Sequence, residues 1–83
     1  MDGRKFVETC RVLIKDFYES ELKQKINLED IYIVWLNKIL QNNKAMLSTN
    51  IPDTRYFEIT YNGDKDEWYF DSYVKEKNQL ITL

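Results

Sequence analysis

The sequence contains no histidine, one cysteine and one proline, and only two of its 83 residues are glycine. Without histidine and with a single thiol, Cys10, the chain has no adequate ligand set for zinc, haem or an iron–sulfur cluster. The two glycines, Gly3 and Gly63, cannot form a glycine-rich phosphate-binding loop. A lone cysteine also excludes an intramolecular disulfide bond. We therefore expect neither a cofactor nor a metal.

An excess of one charge is also missing, since 12 basic and 14 acidic residues leave a net charge of −2. Such a balance gives no electrostatic reason to bind nucleic acid or an anionic membrane. No apolar run approaches the ~18 residues of a membrane span. The N-terminus has no basic segment followed by an apolar run, so we expect no signal peptide. These absences predict a soluble cytoplasmic protein that forms a single small domain over residues 1–83.

Aromatic residues are what the sequence has in abundance, with two Trp, six Tyr and four Phe. A chain of this length buries only roughly 60% of the surface that its unfolded form exposes, so its stability is marginal without a dense core or a partner. Each large ring can bury about 150–250 Å², which allows a short chain to build a sufficient core.

The stretch from Tyr56 to Tyr73 predicts a β-hairpin, because two aromatic-rich runs flank Asn62-Gly63. With a four-residue loop over residues 62–65, Phe57 faces Phe70 and Ile59 faces Trp68. The opposite face then carries Tyr56, Glu58, Thr60, Tyr69, Asp71 and Tyr73. This period-2 alternation is typical of a sheet with one buried face.

Residues 4–23 predict an amphipathic helix with Asp2 as its N-cap. Apolar residues recur at three- and four-residue steps, at Phe6, Cys10, Leu13, Ile14 and Phe17. No glycine or proline interrupts this run.

Residues 31–40 fit either a strand or a helix. Their β-branched and aromatic residues favour a strand, whereas Leu28, Ile31, Trp35 and Ile39 also fit a helical stripe, with Asn27 and Asp30 as a weak capping box. We choose the strand because residues 41–44 predict a turn and residues 45–49 a second strand. Simple alternation would place Tyr32, Val34, Leu36 and Leu40 on one face and Ile33, Trp35 and Ile39 on the other.

The predicted fold is α+β, with the N-terminal amphipathic helix packed on a four-stranded antiparallel β-meander. Its strands lie near residues 31–41, 44–49, 56–62 and 67–76, and Pro52 interrupts the sheet within the loop 48–54. Residues 74–78 would extend the last strand into solvent, and residues 79–83 form a last short strand or a frayed tail. The alternative has two helices and a three-stranded sheet.

The residues that usually carry catalysis are better explained as structural. Cys10 has no histidine partner and lies on the apolar stripe of the helix, which favours a core position over a nucleophile. The acidic segment 62–67 is too short for an EF-hand loop and lies between strands. Glu58 and Asp71 are carboxylates without a cleft deep enough for glycoside hydrolysis. We predict no catalytic residue and no enzymatic activity.

The tyrosines on the polar side of the hairpin, Tyr56, Tyr69 and Tyr73, form the candidate partner-binding surface, since tyrosine is enriched at interface hot spots. The alternative is a single-stranded nucleic-acid binder that stacks bases on them, although the carboxylates nearby disfavour phosphate. One helix covers only one face of a sheet, so part of the apolar surface of residues 31–40 remains exposed. That surplus predicts a homodimer or an interface with another protein, unless the C-terminal tail covers it.

Several segments resemble a group of small, uncharacterised phage and prophage proteins of Gram-positive bacteria, known only as a domain of unknown function. The likeness rests on Ile31–Trp35, Leu40-Gln-Asn, Lys44-Ala, Leu47–Thr49, Pro52-Asp53, Tyr56–Lys65, Asp71 and Tyr73, and it covers residues 30–78. Asn43 and Thr54 stand where that group is expected to have Trp and Gly. The resemblance implies a phage accessory protein inside the bacterial cell, whose partner would be a host or phage protein, and it assigns no functional residue.

Overall fold

The computed structural model describes residues 1–77 and 79–83. Helix α1 spans Gly3–Glu21, and a single 3₁₀ turn at Leu28–Asp30 leads into four strands. These are β1 (Ile31–Ile39), β2 (Asn42–Thr49), β3 (Arg55–Asn62) and β4 (Glu67–Val74). The strands form one antiparallel sheet in the order β1-β2-β3-β4. The α+β meander is therefore confirmed.

Helix α1 begins where its N-cap is satisfied and packs through its apolar stripe onto one face of the sheet. The Asp2 carboxylate accepts a hydrogen bond from the backbone N–H of Lys5 at 2.9 Å, as expected for an N-cap. The helix ends at Glu21, two residues earlier than predicted, and Lys23 takes a positive φ of 55°. The buried side chains of α1 are Phe6, Val7, Cys10, Ile14 and Tyr18.

Aromatic rings make the contact between α1 and the sheet. Phe6 stacks on Trp68 of β4 with ring centroids 5.6 Å apart. Phe17 contacts both Phe57 and Phe70, at 5.6 and 5.5 Å. Each ring pair adds about 0.5–1.5 kcal/mol beyond the burial of area. Because of this aromatic layer, a single helix covers the part of this face that β2, β3 and β4 form.

The strand interpretation of residues 31–40 is confirmed, but the predicted turn after it is wrong. The chain reverses over Leu40 and Gln41, and residues 42–44 belong to β2. Ile39 pairs with Asn42, and Asn43 pairs with a residue on each neighbouring strand. Because β2 is a central strand, these residues gain ladder pairing on both sides, which outweighs the turn preference of asparagine. The shorter loop places Leu40 at a φ of 55°.

The register of the β3–β4 hairpin also differs from the prediction. Ile59 lies opposite Phe70 and Tyr61 opposite Trp68, so the pairing is shifted by two residues. Asn62 stays in β3, and its side-chain oxygen accepts hydrogen bonds from the N–H groups of Asp64 and Lys65. The loop therefore occupies residues 63–66 instead of 62–65. A shift of two residues leaves every side chain on its predicted face.

The last strand, predicted near residues 67–76, is shorter in the structure. Strand β4 ends at Val74, and residues 75–77 and 79–83 form neither helix nor strand. Of the two alternatives predicted for residues 79–83, a short strand or a tail, the structure therefore agrees with the tail. Leu80 and Leu83 are almost fully exposed. Asn78, the end of the segment expected to extend β4, lies outside the described residues.

Thr54 and Asn43, the two residues that depart from what the resemblance expects, are unfavourable in their local surroundings. Thr54 has a φ of 58°, in the left-handed region that glycine adopts without strain and β-branched residues rarely do. Asn43 is fully buried on the helix-covered face of β2. The backbone at Thr54 is nevertheless held, because its carbonyl oxygen accepts a hydrogen bond from the N–H of Lys75 at 2.9 Å.

Gly63 is required for a close approach between the two hairpin loops at one end of the sheet. Its N–H donates to the carbonyl oxygen of Gln41 at 3.0 Å. A Cβ atom at this position would lie 2.2 Å from that same oxygen, which is far inside van der Waals contact. The sequence predicts Gly63 from the turn preference of glycine, whereas the structure requires it because a side chain would clash with Gln41.

Replacing Gly63 by alanine should lower the free energy of unfolding by about 1–3 kcal/mol, because the two loops must move apart. Urea titration followed by tryptophan fluorescence measures this change. The matched control is Gly3→Ala in the first turn of α1, where an added Cβ meets nothing within 4 Å. Equal stabilities for Gly63→Ala and the wild type would contradict the steric role.

Candidate functional site

The face of the sheet opposite α1, here called the outer face, is not covered by the part of the chain that the structure describes. Cross-strand partners share a face, so the pairing identifies its side chains. Its aromatic residues are Tyr32, Trp35, Tyr56, Tyr69 and Tyr73. Its charged residues are Lys44, Glu58, Glu67 and Asp71.

The structure brings the three predicted surface tyrosines together around a pair of carboxylates. Tyr56 lies directly opposite Tyr73, and Glu58 lies directly opposite Asp71. Tyr69 precedes Asp71 by two residues on β4, so it flanks the pair from the other side. The side chains of Tyr69 and Tyr73 are about half exposed, at 50% and 49%, and Tyr56 is half-buried.

The carboxylates on the outer face differ in what already contacts them. Glu58 forms an ion pair with Lys44 at 3.1 Å. Glu67 accepts a hydrogen bond from the hydroxyl of Tyr69, and this bond raises the pKa of that tyrosine above its usual value. Asp71 has neither a hydrogen-bond nor an ion-pair partner within residues 1–77 and 79–83. Its carboxylate therefore remains available beside two exposed rings.

Strand β1 extends the aromatic surface in a way that alternation in the sequence did not predict. A β-bulge between Ile33 and Trp35 shifts the register, so Tyr32 and Trp35 both lie on the outer face. Leu36 consequently lies on the side of α1 together with Ile33, whereas Trp35 and Ile39 lie on the face opposite Ile33. The predicted grouping of these side chains is therefore wrong. No turn or glycine signal marks the bulge, which is why counting alternate residues failed there.

The other sites considered from the sequence have structural roles. Cys10 is fully buried, and burial raises the pKa of its thiol to about 12, which leaves it protonated at neutral pH. In segment 62–67, the side-chain oxygen of Asn62 accepts a hydrogen bond from the N–H of Asp64 and so closes the loop. Asp66 accepts a hydrogen bond from the hydroxyl of Tyr61 at 2.8 Å. Among the described residues, no three Cys, Asp or Glu side chains are grouped so that they could hold a metal ion.

A buried hydrogen bond ties α1 to the loop before β3. The hydroxyl of Tyr18, whose side chain is fully buried, donates to the carboxylate of Asp53 at 2.6 Å. Arg55 lies 3.4 Å from the same carboxylate and places its guanidinium 5.8 Å from the centre of the Phe17 ring. Burial, with the bond to Asp53 second, raises the pKa of Tyr18 to about 12.

Asn43 places a polar side chain in the core, on the face of β2 that α1 covers. Its side-chain oxygen and nitrogen are buried, and neither has a hydrogen-bond partner among the described residues. It lies between Lys38 on β1 and Tyr61 on β3. A buried amide without partners costs about 1–3 kcal/mol, so this side chain destabilises the sheet.

The fold and its outer face define a small α+β protein whose open four-stranded sheet is covered by a helix on one side only. No helix in the described residues is long and apolar enough to cross a membrane. Residues 7–83 match DUF6275, a family of unknown function, and the chain belongs to that family. This confirms the expected membership of a family without an assigned function. No curated protein and no solved structure shows significant similarity to the chain.

Replacing Asn43 by leucine should raise the free energy of unfolding by about 1 kcal/mol, because an unpaired buried amide is exchanged for an apolar group of similar volume. Urea titration again measures the change. Asn42→Leu is the matched control, since Asn42 is exposed on the same strand, and it should have little effect. A loss of stability in Asn43→Leu would mean that the amide has a partner in solution.

Stability should fall as the pH rises from about 10 to about 12. In this window the unfolded chain loses the Tyr18 proton near the ordinary pKa of 10, whereas the folded chain keeps it until about 12. Below that window the contribution is fully present. Urea titrations at several alkaline pH values measure the slope.

The variant Tyr18→Phe separates this tyrosine from the other five. It should lose about 1–2 kcal/mol at neutral pH, because the hydrogen bond to Asp53 is removed. Its stability should also fall less steeply across the alkaline window than that of the wild type. An identical slope in both proteins would contradict the assignment.

Proposed function

We propose that this chain is a non-enzymatic protein-binding module, encoded by phage or prophage of Gram-positive bacteria and acting in the cytoplasm of the host cell. The phage origin and the compartment rest on the resemblance of residues 30–78 described above. The binding role rests on one observation. In the part of the chain that the structure describes, the outer face is uncovered and presents Tyr69 and Tyr73 on either side of Asp71, whose carboxylate has no hydrogen-bond or ion-pair partner there.

This arrangement fits a basic side chain of a partner protein. An arginine guanidinium can stack on a tyrosine ring while it donates hydrogen bonds to a carboxylate. Tyr69 and Tyr73 supply the rings, and Asp71 supplies an acceptor that no described residue occupies. The partner surface would therefore combine arginine with apolar residues that pack on Tyr56 and Trp35.

Charge on the outer face favours a protein over the alternative partner, single-stranded nucleic acid. Exposed tyrosines suit base stacking as well as protein contact. However, Glu58, Glu67 and Asp71 lie among them, and the one basic side chain there, Lys44, is paired with Glu58. A phosphate backbone needs a surface with a positive potential along its path, and this face has the opposite sign.

A peptide-display library selected on the purified protein tests the proposal. We expect enrichment of peptides that carry arginine next to an aromatic or aliphatic residue. Asp71→Asn and Tyr69→Ser should each weaken binding of an enriched peptide about tenfold, or ~1.4 kcal/mol. Fluorescence anisotropy with a labelled peptide measures the affinity.

The matched control is Val12→Ser on α1, where an exposed apolar residue lies far from the outer face, and it should bind as the wild type does. Oligonucleotides at low salt serve as the competing ligand and should not bind. Selected peptides that bind the two outer-face variants undiminished, or tight salt-sensitive binding of the oligonucleotides, would overturn the proposal.

A further inference from the structure

Strand β1 is an edge of the sheet with a free backbone side. Among the described strands it pairs with β2 alone, because the strand order is β1-β2-β3-β4. The N–H and C=O groups of β1 that point away from β2 therefore have no strand partner in the described residues, although the carbonyl oxygen of Ile31 accepts a hydrogen bond from Arg11. A long edge of this kind is a template for one more antiparallel strand.

The two edges of the sheet differ in charge. Strand β4 carries Glu67 and Asp71, and the chain after it continues with Lys75-Glu76-Lys77. Strand β1 carries a single charged residue, Lys38. Charged side chains are a usual way in which proteins block unwanted pairing at an edge. Only the β4 edge is protected in this manner.

Strand β1 also exposes apolar side chains on both faces. On the side of α1, Leu36 is 45% exposed, because the helix covers only the start of the strand. There Ile31 is buried, and its carbonyl oxygen accepts a hydrogen bond from Arg11 at 3.2 Å. On the outer face, Trp35 and Ile39 are 39% and 61% exposed. The second half of β1 is thus an apolar strand without cover on either side.

The bulge at Val34 limits where another strand can pair. It leaves residues 35–39 as the regular part of β1, each with a partner on β2. We propose that Trp35–Ile39 pairs antiparallel with the same segment of a second copy of this chain, with the two-fold axis beside Asn37. The two sheets then join into one of eight strands.

Such pairing is self-complementary in both shape and polarity. With the axis at Asn37, Trp35 lies opposite Ile39 of the second copy on the outer face, and the symmetry repeats this apolar pair on the other side of the axis. On the other face, Leu36 lies opposite Lys38, whose aliphatic stem can cover it. Antiparallel pairing of identical strands closes after two copies and leaves no further β1 edge.

The exposed apolar area is sufficient for a reversible dimer. The exposed parts of the β1 side chains and of Leu40, which is 86% exposed, amount to several hundred Å² per protomer. A standard stable interface takes ~800 Å² per partner. The area is therefore at the lower end for a specific association, and we expect a dimer that dissociates on dilution in the micromolar range.

The C-terminal segment 79–83 is the other apolar candidate for covering β1. It follows β4, which lies three strands away at the opposite edge. Leu80 and Leu83 are almost fully exposed, so they cover nothing in the protomer. The second copy of β1 fits better because it supplies the backbone groups and the apolar side chains in one regular segment.

Sedimentation equilibrium over a wide concentration range tests the dimer. The wild type should change from monomer to dimer mass, and Leu36→Lys and Ile39→Lys should each raise the dissociation constant at least tenfold. The first places a lysine opposite Lys38 of the second copy, and the second replaces the apolar contact with Trp35 of the second copy by a charged group. Val12→Lys on α1, where the valine is 48% exposed, is the matched control and should dimerise as the wild type does. A wild type that stays monomeric would overturn the proposal.

A covalent trap tests the register independently of how well the lysine variants fold. Asn37→Cys should oxidise to a disulfide-linked dimer, because the two thiols meet at the axis. Thr60→Cys, on the outer face but on the inner strand β3, should form no disulfide-linked dimer under the same conditions. Failure of Asn37→Cys to cross-link under conditions where the wild type is dimeric would overturn the β1 pairing.

Truncation after Lys77 separates the two apolar segments. The truncated chain should dimerise as the full chain does, and loss of the dimer would mean that the C-terminal segment, and not β1 alone, forms the interface. The inference does not rest on the proposed function, since a monomeric Ile39→Lys variant should still bind outer-face peptides. Loss of dimer and loss of peptide binding can therefore be told apart.

Discussion

One helix can cover one face of a four-stranded sheet, and this limit governs the rest of the structure. The covered face is closed by ring contacts in which Phe6 lies on Trp68 and Phe17 lies between Phe57 and Phe70. Because large rings bury much area per residue, the 19 residues of α1 suffice for β2, β3 and β4. They do not suffice for the far half of β1.

Polar contacts fix how the helix lies on the sheet. The Tyr18–Asp53 hydrogen bond joins the end of α1 to the loop before β3, and Arg11 joins its middle to the start of β1. At the other end of the sheet, the contact between Gly63 and Gln41 joins the two hairpin loops. These contacts are directional, whereas ring packing alone would permit the helix to slide. Together they define which strand remains uncovered.

The sequence predicts the parts of this structure that depend on local periodicity. The alternation of Phe57 and Ile59 with polar residues identifies the buried face of the hairpin, and the three- and four-residue spacing identifies α1. Both signals survive a register error, since a shift of two residues preserves faces. The surface tyrosines Tyr56, Tyr69 and Tyr73 were therefore placed on one face correctly, although their cross-strand neighbours were not.

Features that depend on pairing between strands could not be predicted from local periodicity. The bulge beside Val34 results from the pairing of β1 with β2, and no residue type in β1 indicates it. The turn at Leu40 and Gln41 lacks the glycine or asparagine that usually marks a two-residue hairpin loop. The polar residues after it read as a turn, but pairing on both sides of β2 draws them into the sheet. The predicted start of β2 is therefore wrong because pairing with both neighbouring strands overrides the local turn preference of these residues.

The distribution of charge over the sheet separates two kinds of surface that composition alone would merge. Carboxylates stand among the tyrosines of β3 and β4, so the aromatic part of the outer face carries net negative charge. Strand β1 has Lys38 as its one charged residue among aromatic and aliphatic side chains, so little charge there opposes a second apolar strand. An even mixture of charges would have blocked both edges alike. This asymmetry is the physical reason that we propose different ligands for the outer face and the β1 edge, one a charged side chain and the other a backbone.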